Sequence, residues 1–179
     1  VLQTLILKNC TNLETVSVSG DRLSKLKLKG AKNLEKLKVS GRSLKSLDLK
    51  TNTQLKDLRL GWGTNTSSLD LSKNKKLTFL WCYRTELVSL DLSKNTNLTK
   101  VDCHSNPKLE KLNVKGCRKL KSLHVNNTKL KKLNVKNNVN LRKLRCKNTD
   151  LTKLNLSNTK IRKPSALQCD PDVTVTYAK

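Results

Sequence analysis

Methionine is absent from the 179-residue chain, and only five residues are aromatic: Trp62, Phe79, Trp81, Tyr83 and Tyr177. A compact core filled by large rings is therefore excluded. No apolar run approaches the roughly 18 residues that a membrane-spanning helix requires, so no transmembrane segment is expected. Acidic residues are scarce as well: 13 Asp and Glu stand against 38 Lys and Arg, a net charge of +25. The sequence has no Gly-rich phosphate loop, no paired-cysteine zinc motif and no serine elbow. The usual sequence marks of nucleotide, zinc-finger and hydrolase chemistry are thus missing.

What the chain does have is a spacing. The pattern L-x-x-L-x-L opens at residues 2, 13, 23, 34, 44, 55, 66, 77, 87, 98, 109, 120, 130, 141 and 151. Steps of ten or eleven pair into a period of 21 or 22, and only Thr66 among the openings is not aliphatic. A period in the low twenties with L-x-x-L-x-L-x-x-N is the leucine-rich-repeat signature. Regularity of this kind also argues against disorder, since a disordered polar chain has no need of it.

Apolar residues at offsets 3 and 5 from each opening alternate with polar ones, the period-2 pattern of a strand with one buried face. Such short strands are unstable alone, so successive turns must stack around a shared aliphatic column. The expected fold is a right-handed leucine-rich-repeat solenoid of about eight turns, mainly β. Its strands are parallel, with little or no helix on the convex side, because a 21-residue turn leaves no room for one. At about 4.8 Å per rung the rod is roughly 40 Å long. The array is expected over 1–163, with 164–179 as a shortened repeat and capping strand beyond Pro164. Val1 opens directly into a repeat with no leader or polar cap, so an upstream segment is expected.

The two half-units differ. One set, opening at 23, 44, 66, 87, 130 and 151, is lysine-rich and repetitive, as in Leu90-Asp91-Leu92-Ser93-Lys94-Asn95, with Asn52, Asn74, Asn95 and Asn138 at offset 8. A buried Asn there can bond the backbone of the turn. The other set, opening at 13, 34, 55, 77, 98, 120 and 141, varies at its outward positions. Offset 4 reads Ser17, Lys38, Arg59, Trp81, Asp102, His124, Arg145, and offset 6 reads Ser19, Ser40, Gly61, Tyr83, His104, Asn126, Lys147. Variation confined to one face of a regular scaffold points to a ligand surface.

Phe79, Trp81 and Tyr83 alternate with inward Leu80 and Cys82, so they project from the same side of one strand. Clustered exposed aromatics suit a contact site, although they could also cover a packing defect beside the Thr66 turn. The expected ligand-binding residues are Arg59, Trp62, Phe79, Trp81, Tyr83, Asp102, His104, His124 and Arg145. Asp102, His104 and His124 should be neighbours, but a flat sheet face rarely converges three metal ligands. No catalytic residue, metal or cofactor is therefore expected.

Cys82, Cys103 and Cys146 occupy inward offset 5, where other repeats carry Val18, Val39, Leu60 and Val125, and Cys169 joins them if 167–169 is the last strand. Cys10 and Cys117 take the Asn column. All six read as reduced structural thiols rather than a disulfide framework.

Taken together, Leu90-Asp91-Leu92-Ser93-Lys94-Asn95-Thr96-Asn97 followed by Leu98-Thr99-Lys100-Val101-Asp102-Cys103-His104-Ser105-Asn106 resembles the 21-residue repeats of the cysteine-ladder internalins. These are surface proteins of Gram-positive and gut bacteria. The resemblance runs along nearly the whole chain. It implies a secreted or cell-wall-associated adhesion protein, not an enzyme, that binds through its concave face; the ligand is expected to be a protein or glycan and the chain a monomer. The chain departs from the family in its partial cysteine ladder and in Thr85, Thr128 and Thr149, which stand where the family usually has Asn. A second reading follows from the charge: a basic protein that binds an anionic polymer (teichoic acid, acidic glycan or nucleic acid) through its lysine surface.

Overall fold

The structure, a computed structural model, describes residues 2–61 and 64–177. Fourteen short strands follow one another: β1 (Thr4–Ile6), β2 (Thr15–Ser19), β3 (Lys25–Lys27), β4 (Lys36–Ser40), β5 (Asp57–Gly61), β6 (Phe79–Cys82), β7 (Ser89–Asp91), β8 (Lys100–Asp102), β9 (Lys111–Asn113), β10 (Ser122–His124), β11 (Lys143–Cys146), β12 (Lys153–Asn155), β13 (Leu167–Cys169) and β14 (Thr174–Thr176). One 3-10 turn at Pro164–Ala166 is the only helical element among the described residues. No helix among them is long and apolar enough to cross a membrane.

The strands stack as a parallel β-solenoid of about eight turns. An eight-stranded sheet runs in the order β13-β11-β10-β8-β6-β5-β4-β2, and the opposite side carries the two-stranded pairs β1–β3, β7–β9 and β12–β14. Register follows the repeat, with Leu37, Leu58, Leu80, Val101, Leu123 and Leu144 forming one continuous inward row. These six are at most 1 % exposed, and the opening leucines from Leu23 to Leu141 are equally buried. Thr66, the polar opening, is buried too; its hydroxyl donates to the Leu44 carbonyl at 3.4 Å, so it enters the core with its hydrogen bond made.

On the lysine-rich side, from residue 44 on, the ladder is cut short at offset 4. In the half-unit opening at 23 this position is Lys27; from there on it is Asp48, Asp70, Asp91, Asn113, Asn134 or Asn155. Each accepts, through Oδ1, the N–H two residues on, at 2.8–3.1 Å. That side-chain turn removes the donor which would have continued the ladder, and the strand stops. The variable half-units carry no such residue in β2, β4 and β5, and those strands run for five residues. Asp102 is the exception. It accepts from His104 N–H at 3.3 Å, and β8 ends there. Four variable repeats then leave the sheet through a left-handed residue, Arg84, Ser105, Asn127 or Asn148, each with φ between 50° and 56°.

The offset-8 column ties each turn to the one before. Asn95 Nδ2 donates to the carbonyls of Leu71 and Asn74 at 2.9 and 3.0 Å, and Asn52, Asn74 and Asn138 repeat the arrangement. Cys117 replaces the amide with a thiol that reaches the Leu92 and Asn95 carbonyls at 3.3 and 3.6 Å.

Candidate functional site

In the variable half-units the inward residues are consumed by the core, which leaves offsets 2, 4 and 6 to project from the eight-stranded sheet. At offset 4, ladder pairing sets Arg59 beside Trp81, Trp81 beside Asp102, Asp102 beside His124, and His124 beside Arg145. Phe79, Trp81, Tyr83, Asp102, His104, His124 and Arg145 are all half-buried, and Arg59 is exposed. Eight of the nine expected site residues thus lie on one face. The ninth, Trp62, lies outside the described residues.

Four of these side chains form a continuous row of rings. Trp81 stacks on Tyr83 with centroids 5.6 Å apart and planes at 15°. Tyr83 meets His104 at 4.6 Å, tilted by 33°, and His104 lies flat on His124 at 4.4 Å and 7°. Phe79 stands apart from the row. The Arg59 guanidinium is 4.8 Å from the centre of its ring and Lys100 Nζ 5.3 Å, so the ring is contacted by two cations. Arg59 is held in place by a double hydrogen bond to Asp57, at 2.9 and 3.0 Å.

Gly61 decides where the indole lies. A Cβ built at this position would come within 2.7–3.0 Å of the Trp81 ring, so the ring occupies the space a side chain would need. Beside it opens a concavity of about 400 Å³ lined by Lys38, Arg59, Phe79, Trp81, Lys100 and Asp102, among others. Lys38, Gly61 and Lys100 also line this concavity and are not among the nine residues expected from the sequence. Each stood at an outward offset of its repeat, and ladder adjacency to Arg59 or Trp81 was the available signal.

Asp102 organises the other end. His104 Nδ1 donates to its Oδ1 at 2.6 Å and His124 Nδ1 to its Oδ2 at 3.2 Å. Burial alone would raise the Asp102 pKa. The hydrogen bonds from His124 and His104, with the attraction of their charge, outweigh it and hold the carboxyl below the ordinary carboxylate value. A flat face was not expected to converge three such groups. It does so here because Asp102 both ends its strand and sits between an imidazole on the next rung and one two residues along.

The inward cysteines behave as core. The Cys103 thiol is pushed well up by its hydrogen bond with Cys82 and by burial, and burial foremost raises Cys146 and Cys117 to about 12. Raised values keep these thiols protonated near neutral pH, and the thiolate is the reactive form. With a thiol reagent at pH 8, the partly exposed Cys10 and Cys169 are expected to react in the folded protein, and all six after denaturation. Rapid native labelling of four or more would show that the column is not packed as described.

Among solved structures, the chain is similar to the functional domain of InlJ from Listeria monocytogenes, which includes a cysteine ladder, at 23 % identity and a TM-score of 0.52. It is also similar to an internalin, InlF, from the same organism, at 19 % identity and a TM-score of 0.58. These matches cover 98 % and 84 % of this chain but only 47 % and 49 % of those structures, so it spans about half their length. No protein-family model matches the sequence, and no curated protein matches it. The fold is that of internalin-type leucine-rich-repeat domains, as the repeat and the Cys column implied.

Proposed function

We propose that this protein is a non-enzymatic recognition module. It binds a protein or glycan through the outward face of the eight-stranded sheet, around Arg59, Trp62, Phe79, Trp81, Tyr83, Asp102, His104, His124 and Arg145. The observation that carries this reading is the row of four stacked rings, from Trp81 to His124, on a face whose other positions are basic and polar. Rigid rings offer large contact area with few rotamers to freeze, and such residues dominate binding energy when a partner covers them. The likeness in fold to InlJ and InlF supports a protein-interaction module. On this reading the protein is monomeric and secreted or wall-associated, and 164–179 close the array as a shortened repeat and capping strand.

One observation favours a second reading. On the lysine-rich side, a groove of about 590 Å³ is lined by Lys131, Lys132, Lys136 and Lys153. With a net charge of +25, this surface suits an anionic polymer.

Salt separates the two readings, because polyanion binding releases counterions and weakens steeply as salt rises. Tryptophan emission is the readout, with Trp62→Phe isolating Trp81. Neutral and acidic oligosaccharides, teichoic acid and single-stranded DNA are titrated at low and physiological salt. A saturable change that survives physiological salt and is lost in Tyr83→Ala is expected. Polyanion binding that vanishes with salt and leaves Trp81 emission unchanged would move the function to the lysine surface.

A further inference from the structure

The chain has only two histidines, and the fold lays them against each other on one carboxylate. A ligand atom from each of Asp102, His104 and His124 lies within 4.8 Å of the other two. We propose that these three residues form a binding site for a borderline transition-metal ion, of which Zn²⁺ is the physiological candidate.

The donor set argues for this class of ion. Two imidazoles and a single carboxylate suit Zn²⁺, Ni²⁺, Co²⁺ or Cu²⁺, whereas Mg²⁺ and Ca²⁺ take shells built almost wholly of oxygen. Donors bound tetrahedrally at 2.0–2.2 Å stand about 3.4 Å from one another, so the cluster closes on an ion with side-chain shifts of roughly 1 Å. His104 Nδ1 at 2.6 Å from the carboxylate must open slightly, while His124 Nδ1 at 3.2 Å is nearly placed. The metal takes Nδ1 of each imidazole in its neutral form, with the ring proton on Nε2, and a proton held by either ring beyond that one is released as the ion binds.

Rigidity favours the site. His104 is clamped between the Tyr83 and His124 rings, and Asp102 is fixed by the His104 N–H at the strand end. Little ordering therefore remains to be paid on binding. Three protein donors leave a fourth position for water or for a donor atom of whatever covers this face. Arg145, beside His124 in the ladder, opposes the cation, and the charge of Asp102 offsets it.

The proposal does not depend on the recognition reading, because ion uptake is measured without any other ligand. Protein carrying no histidine tag is titrated with Zn²⁺ by calorimetry under a phosphine reductant, and Co²⁺ is followed by visible absorption. One ion per chain is expected, with the d–d bands of four-coordinate Co²⁺, stronger than those of the aqua ion, and no thiolate charge-transfer band. Zn²⁺ should raise Tm, and excess Mg²⁺ should not compete. His104→Ala and His124→Ala should each weaken uptake by an order of magnitude or more, and the double variant should abolish it. Absence of saturable uptake, or uptake unchanged in the double variant, would overturn the site. So would a thiolate band in the wild-type Co²⁺ spectrum, which would move the ion to a cysteine; this arm needs no variant to fold.

Discussion

Asn106→Ala is expected to lower stability by about 4 kcal/mol, roughly twice the loss in Asn95→Ala, with an unchanged urea m-value. Both amides are fully buried. Asn95 donates to two carbonyls of earlier turns, and its Oδ1 has no partner among the described residues. Asn106 uses both ends. Its Nδ2 donates to the Cys82 and Cys103 carbonyls at 2.8 and 2.9 Å, and its Oδ1 accepts Thr85 N–H and Oγ1–H, each at 2.7 Å. Truncation would leave two carbonyls, the Thr85 amide and the Thr85 hydroxyl without this partner inside the solenoid, at about 1–3 kcal/mol for each group left unpaired before relaxation. Denaturation of both variants by urea is the check; equal losses would mean that the Thr85 bonds add nothing. Because Asn106 closes the turn that follows His104, the variant should also loosen the ring row.

Gly61→Val is expected to weaken ligand binding as much as Trp81→Ala while leaving the fold intact. The added side chain meets the far edge of the Trp81 indole, which can swing away, rather than backbone, which cannot. A displaced indole no longer stacks on Tyr83 and no longer walls the adjoining concavity. Loss of a central aromatic contact costs about 2–4 kcal/mol of binding, whereas Tm should move little because Trp81 is only half-buried. Affinity for the ligand found in the fluorescence titration, measured beside thermal melts, tests this. Undiminished binding by Gly61→Val would show that the position of the indole is immaterial.

Much of this was legible beforehand, for a physical reason. Stacked turns repeat one environment, so each column of the sequence states its burial several times over. Leucines at the opening and at offset 3 could only be core, and Cys82, Cys103 and Cys146 could only substitute for aliphatics beside them. The same logic placed Cys117 on the carbonyls that Asn serves elsewhere. Outward positions carry no such redundancy. That Arg59, Trp81, Asp102 and His124 would share a ladder row followed from their offset, but offset says nothing about rotamers.

Order along the chain, the inward columns and the separation of a lysine-rich side from a variable side were thus set by the period-2 alternation and the 21–22-residue repeat. Three things were decided only in three dimensions. The indole lies over Gly61 because that residue leaves room for it. Phe79 parts from its neighbours because Arg59, anchored on Asp57, and Lys100 both reach its ring. Asp102, His104 and His124 converge because one carboxylate ends a strand between two imidazoles from different rungs. Each depends on side chains separated by a full turn or by a strand end, and contacts of that kind are fixed by packing rather than by periodicity.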